Sequence, residues 1–184
     1  GVPQHLIDRV FSRLGMQQSY HAAIERSADP AATADRILRG LRAAVPGGLL
    51  GDVIGGYGVA QACLAAARVR GWNPRETTGA IQGVGTMGGG AAWYLHEAGV
   101  RVVAVADAAG TLVDPQGLDI PALLAARDRY GEIARDAVPT GVRRLERDRI
   151  LESDVDILVP AAISYAVTAE NCGRVRAAVI VEAA

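Results

Sequence analysis

Gly83, Gly85 and Gly88 stand in the stretch AIQGVGTMGGGAAWYLHEAG at the spacing G-x-G-x-x-G, and Asp107 follows 19 residues after the last of them. Each glycine has a distinct use where a strand turns into a helix. The first makes the tight turn, the second lets a diphosphate approach the backbone, and the third lets helix and strand pack closely. The free N–H groups and the positive end of the helix then face the diphosphate. An acid ~20 residues on, at the end of the next strand, accepts hydrogen bonds from an adenosine ribose. These residues predict a dinucleotide site. A carboxylate at Asp107 repels a 2′-phosphate, and Ala108 and Ala109 bring no cation to offset it, so NAD is expected in preference to NADP. Two other readings stand beside this one. The first is a glycine-rich turn that holds no ligand. The second is a different ligand such as S-adenosylmethionine, which the diphosphate-sized loop spacing disfavours.

The site needs alternating strands and helices, and the chain is patterned that way. TGAIQG reads as a strand, and a helix is expected from about Thr86 to Ala98, with Met87, Ala91, Leu95 and Ala98 on one side. VRVVAVAD is a continuous apolar run, as in a parallel strand covered on both faces. TLVDPQG suggests a short strand and a turn, and DIPALLAARDRYG a capped helix. DVDILVPAA and RAAVIVEAA are two more buried strands, with a short helix at TAENCGRV between them. Upstream, GGYGVAQACLAAARVRG reads as a glycine-rich entry into a small-residue helix that ends near Gly71. The first fifty residues are helical in pattern. HLIDRVFSRLG sets Leu6, Ile7, Val10, Phe11 and Leu14 on one face, with Gly15 as a left-handed stop. Asp29 caps a second helix that has Pro30 at its first position and Ala34, Ile37, Leu38 and Leu41 as its stripe. The break PGG at 46–48 divides a helical lead-in, residues 1–48, from a nucleotide-binding domain, residues 49–184. The expected fold is α/β, a Rossmann-like doubly wound and mostly parallel sheet behind that lead-in.

Composition narrows the partners. Half the residues are apolar but only 4% are aromatic, so the core is built from Ala, Val, Leu and Ile. A formal net charge of -1 offers no attraction to nucleic acid or an anionic membrane surface. No apolar run is expected to span a bilayer and no leader pattern opens the chain, so a cytoplasmic location is expected. Cys63 and Cys172 lack the spacing of a metal site or disulfide framework, and both read as small buried hydrophobes. All 19 basic residues are Arg. His96 is placed on a helix away from the strand ends, and His5 and His21 have no partner pattern. RRLERDR, Arg143 to Arg149, reads as a solvated face with local ion pairs, and Asp154 and Asp156 as a strand-entry turn.

Five segments, GGYGV, AIQGVGTMGG, YLHEAGVRVVAVADAAGTLVDPQGLD, DVDILVPAA and VRAAVIVEAA, resemble the Glu/Leu/Phe/Val dehydrogenases in order and spacing. The long DAAGTLVDPQGLD insertion is most similar to the glutamate dehydrogenase branch. The resemblance implies a nucleotide domain beside a substrate domain, with a cleft between them. There an amino acid loses hydride to nicotinamide and its imine is hydrolysed to a 2-oxo acid and ammonia. It also implies a homo-oligomer. The family's catalytic Lys and Asp belong to the substrate domain. No Lys occurs in these 184 residues, so no catalytic residue is assigned. The opening residues look like the segment that follows the catalytic Asp, and the final EAA like a point before the family's last helix. The chain is therefore expected to be the cofactor-binding part of a longer enzyme.

The resemblance assigns Gly83, Gly85, Thr86, Met87 and Gly88 to the diphosphate loop and Asp107 to the ribose. Ala161 and Ala162 are assigned to the nicotinamide ribose. Gly55 stands where a Thr commonly touches the carboxamide, and Thr86 and Tyr165 each stand where an Asn is common. Ser164 and Tyr165 are candidate nicotinamide contacts. No metal site is expected. A second reading remains: a dehydrogenase-derived module that binds the nucleotide as a sensor or scaffold without catalysis.

Overall fold

The computed structural model describes residues 4–16, 24–45, 48–128 and 130–184. His21, Pro46 and Gly47, and the side chain of His5, lie outside the described residues. The first described elements include α1 (Gln4–Arg13) and α2 (Pro30–Leu41), followed by a two-stranded antiparallel pair, β1 (Ala44–Val45) and β2 (Gly48–Leu49). Both helices end as their sequences imply. Gly15 takes φ 70, with Met16 N–H donating back to the Phe11 carbonyl. The Asp29 carboxylate accepts from Ala32 N–H at the start of α2. Within the apolar stripe of α1, Leu6, Val10 and Leu14 are exposed.

The remainder is α3 (Leu50–Val69), β3 (Thr78–Gln82), α4 (Thr86–Glu97), β4 (Arg101–Asp107), β5 (Gly110–Val113), α5 (Ile120–Ala125), β6 (Arg143–Leu145), β7 (Ile157–Pro160) and β8 (Val179–Ile180). Its six strands lie in the order β6-β5-β4-β3-β7-β8. The pairings β4-β3, β3-β7 and β7-β8 are parallel, and β5 and β6 add antiparallel to one edge. The mostly parallel α/β sheet is thus present, and RRLERDR contributes an edge strand and a 3-10 turn to it. Ion pairs on its solvent side include Arg147 with Asp148 and Arg149 with Glu152.

Alternation along the strands divides the core into two layers. Ile81, Val105, Ile157 and Val159 face α3, α4 and α5 together with Ala60, Cys63, Ala91, Leu95 and Leu123. Each fully buried Leu or Ile contributes roughly 1.5–3 kcal/mol. On the other face Ala80, Ala104, Ala106 and Leu158 meet Ile150, Leu151 and Val155. Among the described residues that face is covered by the 3-10 segment Arg147–Glu152, and TAENCGRV, which was expected to form a helix, holds the short 3-10 turn Cys172–Arg174. Asp156 locks the bottom of the sheet, accepting from both the N–H and the hydroxyl of Thr78 at 2.7 and 2.8 Å.

α3 begins at Leu50, so Gly55, Gly56 and Gly58 lie inside the helix rather than in an entry loop. The reason is a close crossing. A Cβ on Gly56 would lie 2.1 Å from Ala91 N, and one on Gly90 2.4 Å from the Val53 carbonyl oxygen. The expectation that no run reaches membrane length is also corrected, because α3 has 20 residues and a mean hydropathy of 1.2. Its buried Val53, Val59, Ala60, Cys63 and Ala67 belong to the face that packs in the core, chiefly against α4. Burial pushes the Cys63 thiol up to about 12, leaving it protonated. Cys172, by contrast, is exposed.

Candidate nucleotide site

The glycine loop joins β3 to α4 at the carboxyl edge of the sheet, where open α/β folds bind ligands. Gly83 turns the chain at φ 89, a conformation that favours glycine. A Cβ there would lie 2.9 Å from both the Ala161 carbonyl oxygen and Ala162 Cα. A Cβ on Gly88 would lie 1.8 Å from the Gly83 carbonyl oxygen. These two glycines are required by the fold itself.

Gly85 differs. It is the N-cap of α4 at φ -70, and a Cβ on it would meet nothing within 4 Å. No side chain caps this helix, and the amides of Thr86, Met87 and Gly88 have no hydrogen-bond acceptor among the described residues. Four unsatisfied amides are normal for a helix start, and here water or an anion is left to satisfy them. An open space over Gly85, beside three helix-start amides without acceptors, fits a diphosphate oxygen cluster.

The loop is backed by a segment that sequence reasoning missed. Arg127, just after α5, donates from Nη1 to the carbonyl oxygens of Val84 and Gly85, at 2.8 and 3.2 Å. Burial lowers the pKa of this guanidinium, opposed by the charge of Asp52. A Cβ on Gly89 would lie 1.9 Å from that Nη1. Asp128 then accepts from the amides of Tyr130 and Glu132, forming a turn that carries Gly131 at φ 83. A Cβ on Gly131 would lie 2.9 Å from Gly85 N. The signal in the sequence was Asp128 three residues before Gly131, an Asx-type turn.

Met87 and Gly55 are also brought together, since a Cβ on Gly55 would lie 2.6 Å from Met87 Sδ. The thioether occupies the space that a side chain at position 55 would need. Ala162, Ser164 and Tyr165 are exposed beyond β7, and Ala161 is half-buried behind Gly83. Tyr165 is 90% exposed and is the only non-glycine residue with positive φ among those described. His96 is in the last turn of α4, at the far end from this loop. No group of three or more His, Cys, Asp or Glu side chains among the described residues can hold a metal ion.

Asp107 is engaged by more protein donors than its place in the sequence implies. It is at the end of β4 as expected, but its side chain is only 2% exposed. Ala109 N–H donates to Oδ1 at 2.9 Å and Ile133 N–H to Oδ2 at 2.8 Å. Arg135 adds both guanidinium nitrogens, Nη2 to Oδ1 and Nη1 to Oδ2. A carboxylate offers about four lone-pair sites, and all four face protein donors. In this arrangement none is left for a ribose hydroxyl. Nor does the site lack a cation, because Arg135 supplies one from 28 residues downstream. Burial pushes the Asp107 carboxyl up, but the bonds from Arg135, Ile133 and Ala109 outweigh it and hold the group below the ordinary carboxylate range.

Residues 47–184 match the family model for glutamate/leucine/phenylalanine/valine dehydrogenases. Over 127 residues the chain is 41% identical to a cryptic catabolic NAD-specific glutamate dehydrogenase of Bacillus subtilis, covering 69% of this chain and 29% of that protein. A second Bacillus subtilis protein, a catabolic NAD-specific glutamate dehydrogenase, is 45% identical over 104 residues, 56% of this chain and 24% of its own length. The chain therefore spans less than a third of these relatives. Among solved structures, the hetero-hexameric glutamate dehydrogenase of Thermus thermophilus superposes with a TM-score of 0.60 at 29% identity, covering 71% of this chain and 30% of that one.

Proposed function

The chain belongs to the glutamate/leucine/phenylalanine/valine dehydrogenase family, and from that premise we propose that it is the NAD-binding part of an amino-acid dehydrogenase that acts on L-glutamate. The observation that carries this reading is the open space over Gly85 at an uncapped helix start. Thr86, Met87 and Gly88 would hold the diphosphate through their amides, with Arg127 stiffening the loop from behind. Ala161, Ala162, Ser164 and Tyr165 would line the path toward the nicotinamide. Bound NAD supplies a hydride acceptor, and the substrate would be gripped by a companion domain that carries the acid–base residues. The NAD-specific names of the relatives support that cofactor over NADP. A cytoplasmic location and an assembly of several copies belong to the same reading, as does the assignment of residues 1–48 to the companion domain's lead-in.

Gly85→Ala tests the reading cleanly, because the added methyl meets no protein atom. The variant is expected to keep the thermal midpoint and circular dichroism of the parent and to lose NAD affinity tenfold or more by calorimetric titration. The 184-residue chain is expected to bind NAD without oxidising glutamate. Equal NAD affinity in parent and variant would sink the proposal.

A further inference from the structure

The discriminating acid of the proposed site is not a free charge. We infer that Arg135 is a specificity-determining residue: by closing bidentately on Asp107 it cancels the carboxylate that would read or repel the adenosine 2′ position. This rests on the nucleotide reading above, since only that reading brings a ribose to the end of β4.

Three observations carry the inference. All four lone-pair sites of the carboxylate face donors, two of them from one guanidinium. Arg135 is itself held, because its Nη1 also donates to the Ile133 carbonyl oxygen at 2.8 Å and its own carbonyl accepts from Arg144 at 2.7 Å. The pair is well shielded, with side chains 23% and 2% exposed, so solvent screens it little. The other charges beside Ala108 are Glu146 and the mutually paired Arg147 and Asp148. Two carboxylates and one guanidinium leave that edge a net charge of -1, carried by Glu146 and not by Asp107. At Asp107 itself a ribose or a 2′-phosphate meets a dipole, and that carboxylate cannot select between them as an isolated anion does.

Removing the guanidinium restores a lone pair to each carboxylate oxygen and an uncompensated negative charge. The affinity of the full 184-residue chain for NAD and for NADP is measured by calorimetry in the parent and in Arg135→Met. The ratio of the NADP to the NAD dissociation constant is expected to widen at least tenfold in Arg135→Met. The double variant Arg135→Met with Asp107→Asn is expected to return it to the parental value. Should Arg135→Met fail to fold by circular dichroism, Arg135→Gln keeps a donor on Asp107 while deleting the charge and is expected to widen the ratio in the same direction. A folded variant that binds NAD with an unchanged ratio overturns the role of Arg135 and leaves the diphosphate site standing. A parent chain that binds neither dinucleotide overturns the nucleotide reading itself.

Discussion

Tyr165 stands at φ 60 with nine-tenths of its surface in water, just past the strand end that borders the glycine loop. An L-residue in the left-handed region costs about 1–2 kcal/mol, and Asn bears it best among non-glycine residues. Nothing in the packing offsets that cost, because the ring is exposed. Tyr165→Asn is therefore expected to raise stability by about 0.5–1 kcal/mol, read as a higher urea midpoint, while Tyr165→Phe leaves it unchanged. A lower midpoint in the Asn variant would show that the ring makes a stabilising contact after all. Backbone strain of this kind collects at functional sites, and this position is one that the resemblance assigned to the nicotinamide end. The local pattern ISYAV announces no turn; the one sign of the left-handed backbone was the resemblance, which sets Tyr165 where an Asn is common.

At the scale of elements, the glycine loop is supported by the turn after α5. Arg127 leaves the helix, runs behind the loop and donates to two of its carbonyls. Arg127→Met strands the Val84 carbonyl oxygen in a half-buried place, a loss of about 1–3 kcal/mol, while that of Gly85 keeps Gly89 N–H at 2.8 Å. The loop that presents the Thr86–Gly88 amides is then no longer held. A fall in both the thermal midpoint and NAD affinity is expected, and unchanged NAD affinity in the destabilised variant would separate the support from the site. β3, α4 and β4 could be placed from sequence because the apolar runs, the glycine spacing and the helix stripe agree with one another. The interior glycines of α3 misled for a physical reason. Gly55 and Gly56 suit a turn in isolation, and only the approach of α4 shows that Gly56 exists for a helix crossing. Likewise the acid of the fingerprint was identified by its position, but its partner Arg135 is 28 residues away, beyond the reach of any local pattern.

Across the whole molecule the Asp107–Arg135 pair joins the end of β4 to the segment that returns from behind the glycine loop toward β6. One carboxylate thereby ties the parallel centre of the sheet to its antiparallel edge. Its pKa is held below its ordinary value by those donors despite burial, which fixes a sign. The folded state binds this proton less readily than the unfolded chain, whose aspartates titrate near about 3.9. The stabilisation is therefore complete above that value and is lost as pH falls through the lower folded pKa. Asp107→Asn removes the titrating group and leaves Arg135 facing a neutral amide, so the variant is less stable at pH 7 and less sensitive to acid. Urea midpoints measured from pH 7 down to pH 3 are expected to converge for parent and variant. Parallel curves across that range would mean that the charge on Asp107 contributes nothing to holding the two parts of the sheet together.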